Sequence, residues 1–260
     1  MTLLPFTYMA VFVFLFGAAI GSFLNVCIYR LPLDQSIVSP GSRCMSCGTA
    51  VRWFDNIPVI SWIVLRGRCR RCGVTFSIRY PLVELLTGCL MLVLFLRFGL
   101  SVSFAVYALL VAALIVITFI DFDHQIIPDE ISLSGVALGF LTSFFLPEPG
   151  WVSSLAGIVV GWGSLALVFY AYLWLTGREG MGGGDAKLLA MLGAFLGWKA
   201  IPFIIFTSSL VGSVVGLSLM AAQRKGRHLA IPFGPYLAFG AVVYIFYGPQ
   251  LINWYLHLGK

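Results

Sequence analysis

What constrains this chain most is a succession of apolar segments too long, and too free of charge, to be interior elements of a soluble domain. A bilayer crossing takes about 20 apolar residues in a helix. Eight stretches approach or exceed that length: residues 6–28, 82–96, 102–120, 131–146, 152–176, 186–198, 201–222 and 231–256. Runs this continuous read as helices, which satisfy their own backbone groups in hydrocarbon. Charged residues make up 10% of the chain, against about 25% in soluble domains. The expected fold is an all-α polytopic membrane protein with about eight transmembrane helices. No basic n-region precedes the first stretch and no small-residue cleavage site follows it, so a cleaved signal peptide is not expected.

Orientation follows from the distribution of cations. With the N-terminus outside, the inner loops hold Arg30, Arg43, Arg52, Arg66, Arg68, Arg70, Arg71, Arg79, Arg178, Lys187, Arg224, Lys225 and Arg227, thirteen of the 16 basic residues. Only Arg97, Lys199 and Lys260 fall outside. An odd number of spans would spoil this division. The net charge of +6 is thus a topology signal, and no nucleic-acid partner is expected.

Two carboxylates lie at the ends of apolar stretches on the inner side: Asp121, in Ile120-Asp121-Phe122-Asp123-His124, and Asp185, in Gly182-Gly183-Gly184-Asp185-Ala186-Lys187. A carboxylate near hydrocarbon costs ~3 kcal/mol or more on insertion scales, so two on one face suggest a site. The bland alternative is a flexible loop in which Asp185 caps a helix N-terminus. The stretch after Asp185 has only 13 residues, or ~20 Å of helix against a ~30 Å hydrocarbon core. The glycine run is therefore expected to form a turn, with positive φ allowed, dipping into the membrane beside water.

Between the first two stretches lies the one sizeable polar segment, residues 29–81. It carries Cys44-Met45-Ser46-Cys47 and Cys69-Arg70-Arg71-Cys72, each followed by glycine. Two such CxxC knuckles can close a tetrahedral Zn2+ site of zinc-ribbon type. Two disulfides are the alternative, disfavoured in a reducing cytosol, and redox-active CxxC pairs are another. With no histidine, carboxylate or open position, the zinc would be structural, stapling a loop too small for its own core. Cys27 and Cys89 read as packing residues. Arg66, Arg68, Arg70 and Arg71 either bind anionic lipid or only set topology. Trp53, Phe54, Ile57, Val59, Ile60, Trp62, Ile63 and Leu65 are more apolar than an exposed loop needs; they form a small core, lie on the membrane, or line a pocket.

The runs Gly21-Ser22-Phe23-Leu24-Asn25-Val26, Arg30-Leu31-Pro32, the paired CxxC, Asn56-Ile57-Pro58, Arg79-Tyr80-Pro81-Leu82-Val83-Glu84, Asp121 with Pro128-Asp129, and Gly182-Gly183-Gly184-Asp185-Ala186-Lys187 together resemble the bacterial type IV prepilin peptidases. The resemblance covers nearly the whole chain in order. It implies two activities: cleavage of the leader of prepilins and pseudopilins at the cytosolic face of the inner membrane, and N-methylation of the new N-terminal residue with S-adenosylmethionine. It implies Asp121 and Asp185 as the catalytic pair of a GxGD aspartyl protease, with methyl transfer associated with the cytosolic loop. The expected organisation is a first helix over 1–28, a zinc-binding loop domain over 29–81, and a seven-helix membrane domain over 82–260. Service in pilus assembly or in type II secretion is left open. No glycine-rich nucleotide loop follows a strand, so no donor-binding residues are assigned.

Several neighbours have two readings. Glu84 either supports substrate or cofactor binding or pairs with Arg79. Lys187 either tunes Asp185 or snorkels to headgroups. Asp123 is expected to point away from Asp121, Asp129 to cap the next helix, and His124 to be interfacial; Glu130 is a further competitor of Asp121. A different class of function also fits the composition: a zinc-bearing membrane scaffold or a transporter subunit whose carboxylates relay ions or protons.

Overall fold

The computed structural model describes residues 3–177, 182–223 and 232–257. Arg178, Arg224, Lys225, Arg227 and Lys260 lie outside the described residues. Among the described residues the chain is helical, with no strand: α1 (Leu3–Arg30), α2 (Ile60–Val64), α3 (Arg79–Phe98), α4 (Val102–His124), α5 (Asp129–Thr142), α6 (Gly150–Thr176), α7 (Gly183–Leu196), α8 (Ala200–Gln223) and α9 (Gly234–His257). Each of the eight predicted stretches has its helix. Among the described residues six helices are long and apolar enough to cross a bilayer. The other two, α5 and α7, have 14 residues each, or ~21 Å at 1.5 Å per residue.

The chain divides into two compact units, residues 1–116 and 117–260. In the first, α1 and α3 pack along a seam of small residues, which lets membrane helices approach closely. A Cβ on Gly17 would stand 2.8 Å from Met91 Cβ, and one on Gly21 would stand 2.7 Å from Glu84 Cα. Asn25 reaches from α1 to donate to Tyr80 O at 3.1 Å. Val13, Met91 and Phe95 form a core against which Phe104 and Ala108 of α4 pack. The loop between α1 and α3 holds short 3₁₀ turns at Leu31–Leu33 and Trp53–Asn56, then α2.

In the second unit α7 is the centre. Leu188 through Leu196 are all buried, which is what a helix apolar on every face requires. The close neighbours are α5 and α6. A Cβ on Gly135 of α5 would meet Met191 Sδ at 2.3 Å, and one on Gly139 would meet Ala194 Cβ at 2.8 Å. On the other side Gly157 and Gly193 touch backbone to backbone, and a Cβ on Gly161 would stand 2.5 Å from Leu189 O. Ser154 of α6 donates to Ala194 O at 2.6 Å. Small residues on both flanks thus fix the position of α7 to within a fraction of a side chain.

Candidate functional site

Asp121 sits in the last turn of α4 and is only 5% exposed. Its Oδ2 accepts the backbone N–H of Gly234, the first residue of α9, at 3.0 Å. Asp185 lies half-buried in the first turn of α7, directly after Gly184, which shares the neighbour Ile127 with the Gly234 that binds Asp121. Asp121 therefore meets the N-terminus of α9, whose unpaired N–H groups and partial positive charge favour an anion in poor solvent, while Asp185 sits in the first turn of its own helix.

Ile127 sets this meeting. Its side chain lies 3.1 Å from where a Cβ on Gly184 would be and 3.4 Å from one on Gly234. The glycines of α7 and α9 let both helix starts close on the same side chain. A Cβ on Gly234 would also come within 2.6 Å of Asp121 Oδ2. Gly234 was missed in the sequence, although Pro232-Phe233-Gly234-Pro235 marks an unusual helix start.

The glycine run differs from expectation. Gly182 is the N-cap with φ −74°, and Gly183 and Gly184 already belong to α7. The run is not a positive-φ turn; its glycines serve close approach. Asp129 does not cap α5 either: the N-cap is Pro128, with no side-chain cap bond. Instead Lys187 Nζ donates to both carboxylate oxygens of Asp129 at 2.7 Å. That ion pair ties the first turn of α5 to the N-terminal half of α7. It also answers the two readings of Lys187, which is neither aimed at Asp185 nor free to snorkel. Asp123, His124 and Glu130 are exposed, so none competes with Asp121 for the buried position.

The four predicted thiols also come together. The Sγ atoms of Cys44, Cys47, Cys69 and Cys72 all lie within 4.8 Å of one another, and Cys44 Sγ is 3.7 Å from Cys72 Sγ. The two knuckles are local repeats of one turn. Gly48 N–H donates to Cys44 O and Gly73 N–H to Cys69 O, both at 2.9 Å. Arg43 and Ala50 bridge the first knuckle, as Arg68 and Thr75 bridge the second. The glycines sit at φ +67° and +73°, where a side chain would be strained. The turns aim donors at sulfur: Thr49 pulls the Cys47 thiol down to about 6, and the N–H groups of Cys72 and Arg71 hold Cys69 below its ordinary value. The apolar loop residues divide among the predicted roles. Ile57, Trp62 and Leu65 line a cavity, while Trp53, Phe54, Ile60 and Ile63 are exposed.

Comparison with known proteins gives the same order of parts. Residues 15–98 match the Bacterial Peptidase A24 N-terminal domain and residues 108–217 the Type IV leader peptidase family. A protein of Myxococcus xanthus named "Prepilin leader peptidase/N-methyltransferase" is 46% identical over 84% of this chain and 65% of its own length. Proteins of the same name from Aeromonas hydrophila and Pseudomonas aeruginosa are each 37% identical. Those matches span 97% and 93% of this chain, and 95% and 91% of the relatives. No solved structure matches. With identity at this level running through both matched regions and nearly end to end, the chain belongs to the type IV leader peptidase family.

Proposed function

We propose that this protein is a multi-pass inner-membrane aspartic peptidase that removes the leader of type IV prepilins and pseudopilins, and that it also N-methylates the residue exposed by the cut. The observation that carries the peptidase reading is that the start of α9 binds Asp121 in the last turn of α4 while the start of α7, which carries Asp185, packs on the same Ile127, so both acids lie at helix ends rather than mid-helix. In the proposed topology the N-terminus is outside and this end of α4 and α7 faces the cytosol, where a basic leader would remain.

Two carboxylates this close do not both ionise readily, so the pair shares one proton and titrates as a unit. The ionised member draws a proton from water, and the water oxygen adds to the scissile carbonyl. The protonated member gives its proton to the carbonyl oxygen. Collapse of the tetrahedral adduct breaks the C–N bond, a proton passes to the leaving amine, and the pair returns to its starting state. The Gly234 N–H holds Asp121 in one orientation throughout.

Cys44, Cys47, Cys69 and Cys72 are proposed to hold one Zn2+. Two thiolates at ~2.3 Å from a tetrahedral zinc stand about 3.8 Å apart, and the Cys44–Cys72 separation of 3.7 Å fits. All four positions are filled by protein, so the ion's role is to fold the loop. A scaffold or transporter reading is not favoured: the carboxylates terminate their helices, whereas ion pathways place them near the bilayer midplane.

The test is cleavage of a prepilin by the purified protein in detergent. Asp121→Asn and Asp185→Asn should each lose about 10²–10⁴-fold in rate while retaining the melting temperature and zinc content of the parent. Cleavage near the parent rate in either variant removes that residue from the mechanism.

A further inference from the structure

Glu84 fixes the depth of the loop between α1 and α3. It stands in the second turn of α3, a helix of 20 residues that is long and apolar enough to cross the bilayer. Twenty residues span ~30 Å, the thickness of the hydrocarbon core, so Glu84 lies ~7–8 Å below the end of the helix. Its Oε2 accepts Val59 N–H at 2.7 Å. The Ser22 hydroxyl, eight residues before the end of α1, is its other partner. The loop thus turns back between the helix ends, and Val59 takes φ +62° to do so. α2 starts at the next residue, at the depth where headgroups give way to acyl chains. Its two faces differ. Ser61 is buried, and its hydroxyl donates to Phe54 O and accepts Ile57 N–H, both at 3.0 Å. Trp62 Nε1 donates to Phe76 O, and its ring lies against Gly67. Ile60, Ile63 and Val64, at the i, i+3, i+4 spacing of one helix face, are each more than half exposed. Trp53, shortly before them, is 82% exposed.

We propose that α2 is an interfacial helix seated in the leaflet at which α1 ends and α3 begins, with Ile60, Ile63 and Val64 among acyl chains and the flanking arginines on anionic headgroups. Depth and charge together name lipid as the occupant. An open face of three aliphatic side chains is a liability in water, whereas at this depth it meets acyl chains, as amphipathic interfacial helices do. Residues 29–81 hold eight arginines and two carboxylates, Asp34 and Asp55. Arg70 binds both oxygens of Asp55, so the segment stays strongly cationic and matches an anionic leaflet. Exposed Arg52 and Arg66 bracket the apolar stretch in sequence. The Arg52 guanidinium lies over the Phe54 ring at 5.7 Å, which keeps a cation next to Trp53. Long arginine stems lie along apolar surface while the guanidinium reaches phosphate, and tryptophan favours the headgroup zone. The segment read from its sequence as one polar loop is thus tied to the leaflet at its middle as well as at its two ends.

The test uses the full chain in nanodiscs of phosphatidylcholine with phosphatidylglycerol. Ile63→p-acetylphenylalanine supplies a ketone to which a nitroxide is attached, leaving the cysteines untouched. Power saturation then compares access by oxygen, which concentrates among acyl chains, with access by Ni-EDDA, which stays in water. Relative to the same label on a soluble peptide, Ni-EDDA access should fall at least fivefold while oxygen access holds or rises. A smaller fall overturns the insertion. Loss of access to both reagents means that protein covers the face, a second copy or another part of the chain, and overturns lipid as its occupant. The labelled protein should keep the thermal midpoint of the parent; where it does not, the same label at Ile60 or Val64 reads the same face. In a second measurement, Arg52→Gln with Arg66→Gln should raise Ni-EDDA access at position 63 at least twofold in the same discs. Unchanged access overturns the part given to anionic headgroups.

Discussion

Replacing Gly234 by alanine tests whether the hydrogen bond between α9 and Asp121 sets the geometry of the carboxylate pair. The added Cβ would stand 2.6 Å from Asp121 Oδ2, while ordinary contact begins at 3.4 Å, so the carboxylate or the helix start must move by about 0.8 Å. Displacement of a reacting group by ~1 Å costs about 10²-fold in rate, or about 2.7 kcal/mol in the barrier. The intrinsic effect on folding has the opposite sign. Gly234 begins α9, and alanine is favoured over glycine in helices by up to ~1 kcal/mol. Gly234→Ala should therefore cut prepilin cleavage roughly 100-fold in kcat/KM, with a melting temperature no more than slightly changed. The assay is initial-rate cleavage at several substrate concentrations, with thermal unfolding of the same preparations. Cleavage within threefold of the parent would refute the claim that this contact orients Asp121.

Other expectations are independent of that contact. Gly193→Ala would push a Cβ to 2.1 Å from Gly157 O and should destabilise the protein by roughly 1–3 kcal/mol, as overpacking does; an unchanged thermal midpoint sinks the backbone-contact account of α6 and α7. Cys69→Ser should lose the proposed zinc, read by metal analysis, and render residues 31–78 sensitive to protease; retention of one zinc per chain contradicts the four-thiolate assignment. The hydrogen bond from Arg70, then its charge, holds the Asp55 carboxyl below its ordinary range. A depressed folded-state value gives stability that is present above the unfolded value and lost as pH falls through the folded one. The stability difference between the parent and Asp55→Asn should thus be full at neutral pH and vanish in the acid window below pH ~4; a difference that persists there undoes the ion-pair account.

The order of helices was legible because hydrophobic length needs no knowledge of neighbours. Each apolar stretch found its helix, and the thiol clusters found each other because CxxC spacing encodes a local turn. What was not legible depended on a partner element. Gly135, Gly139, Gly157 and Gly161 are visible in the sequence at spacings of four, yet nothing local says that all of them face α7. Gly234 is 113 residues from Asp121, and only the fold links them. Asp129 looked like a cap because Asp after Pro often starts a helix, but Lys187 offered a charge that a backbone N–H could not match. The glycines before Asp185 suggested a turn from composition alone. Their use in a helix start pressed against Ile127 required knowing what stood opposite.

The enclosure of α7 has a consequence for how the protein meets different membranes. Transmembrane helices ordinarily adjust tilt and depth to the lipid around them. Leu188 through Leu196 are shielded by protein, and the helix is only ~21 Å long, so acyl chains have no purchase on it. Its depth is set by the glycine faces of α5 and α6, and Asp185 travels with that depth. The thickness of the host bilayer can change without retuning the height of this acid.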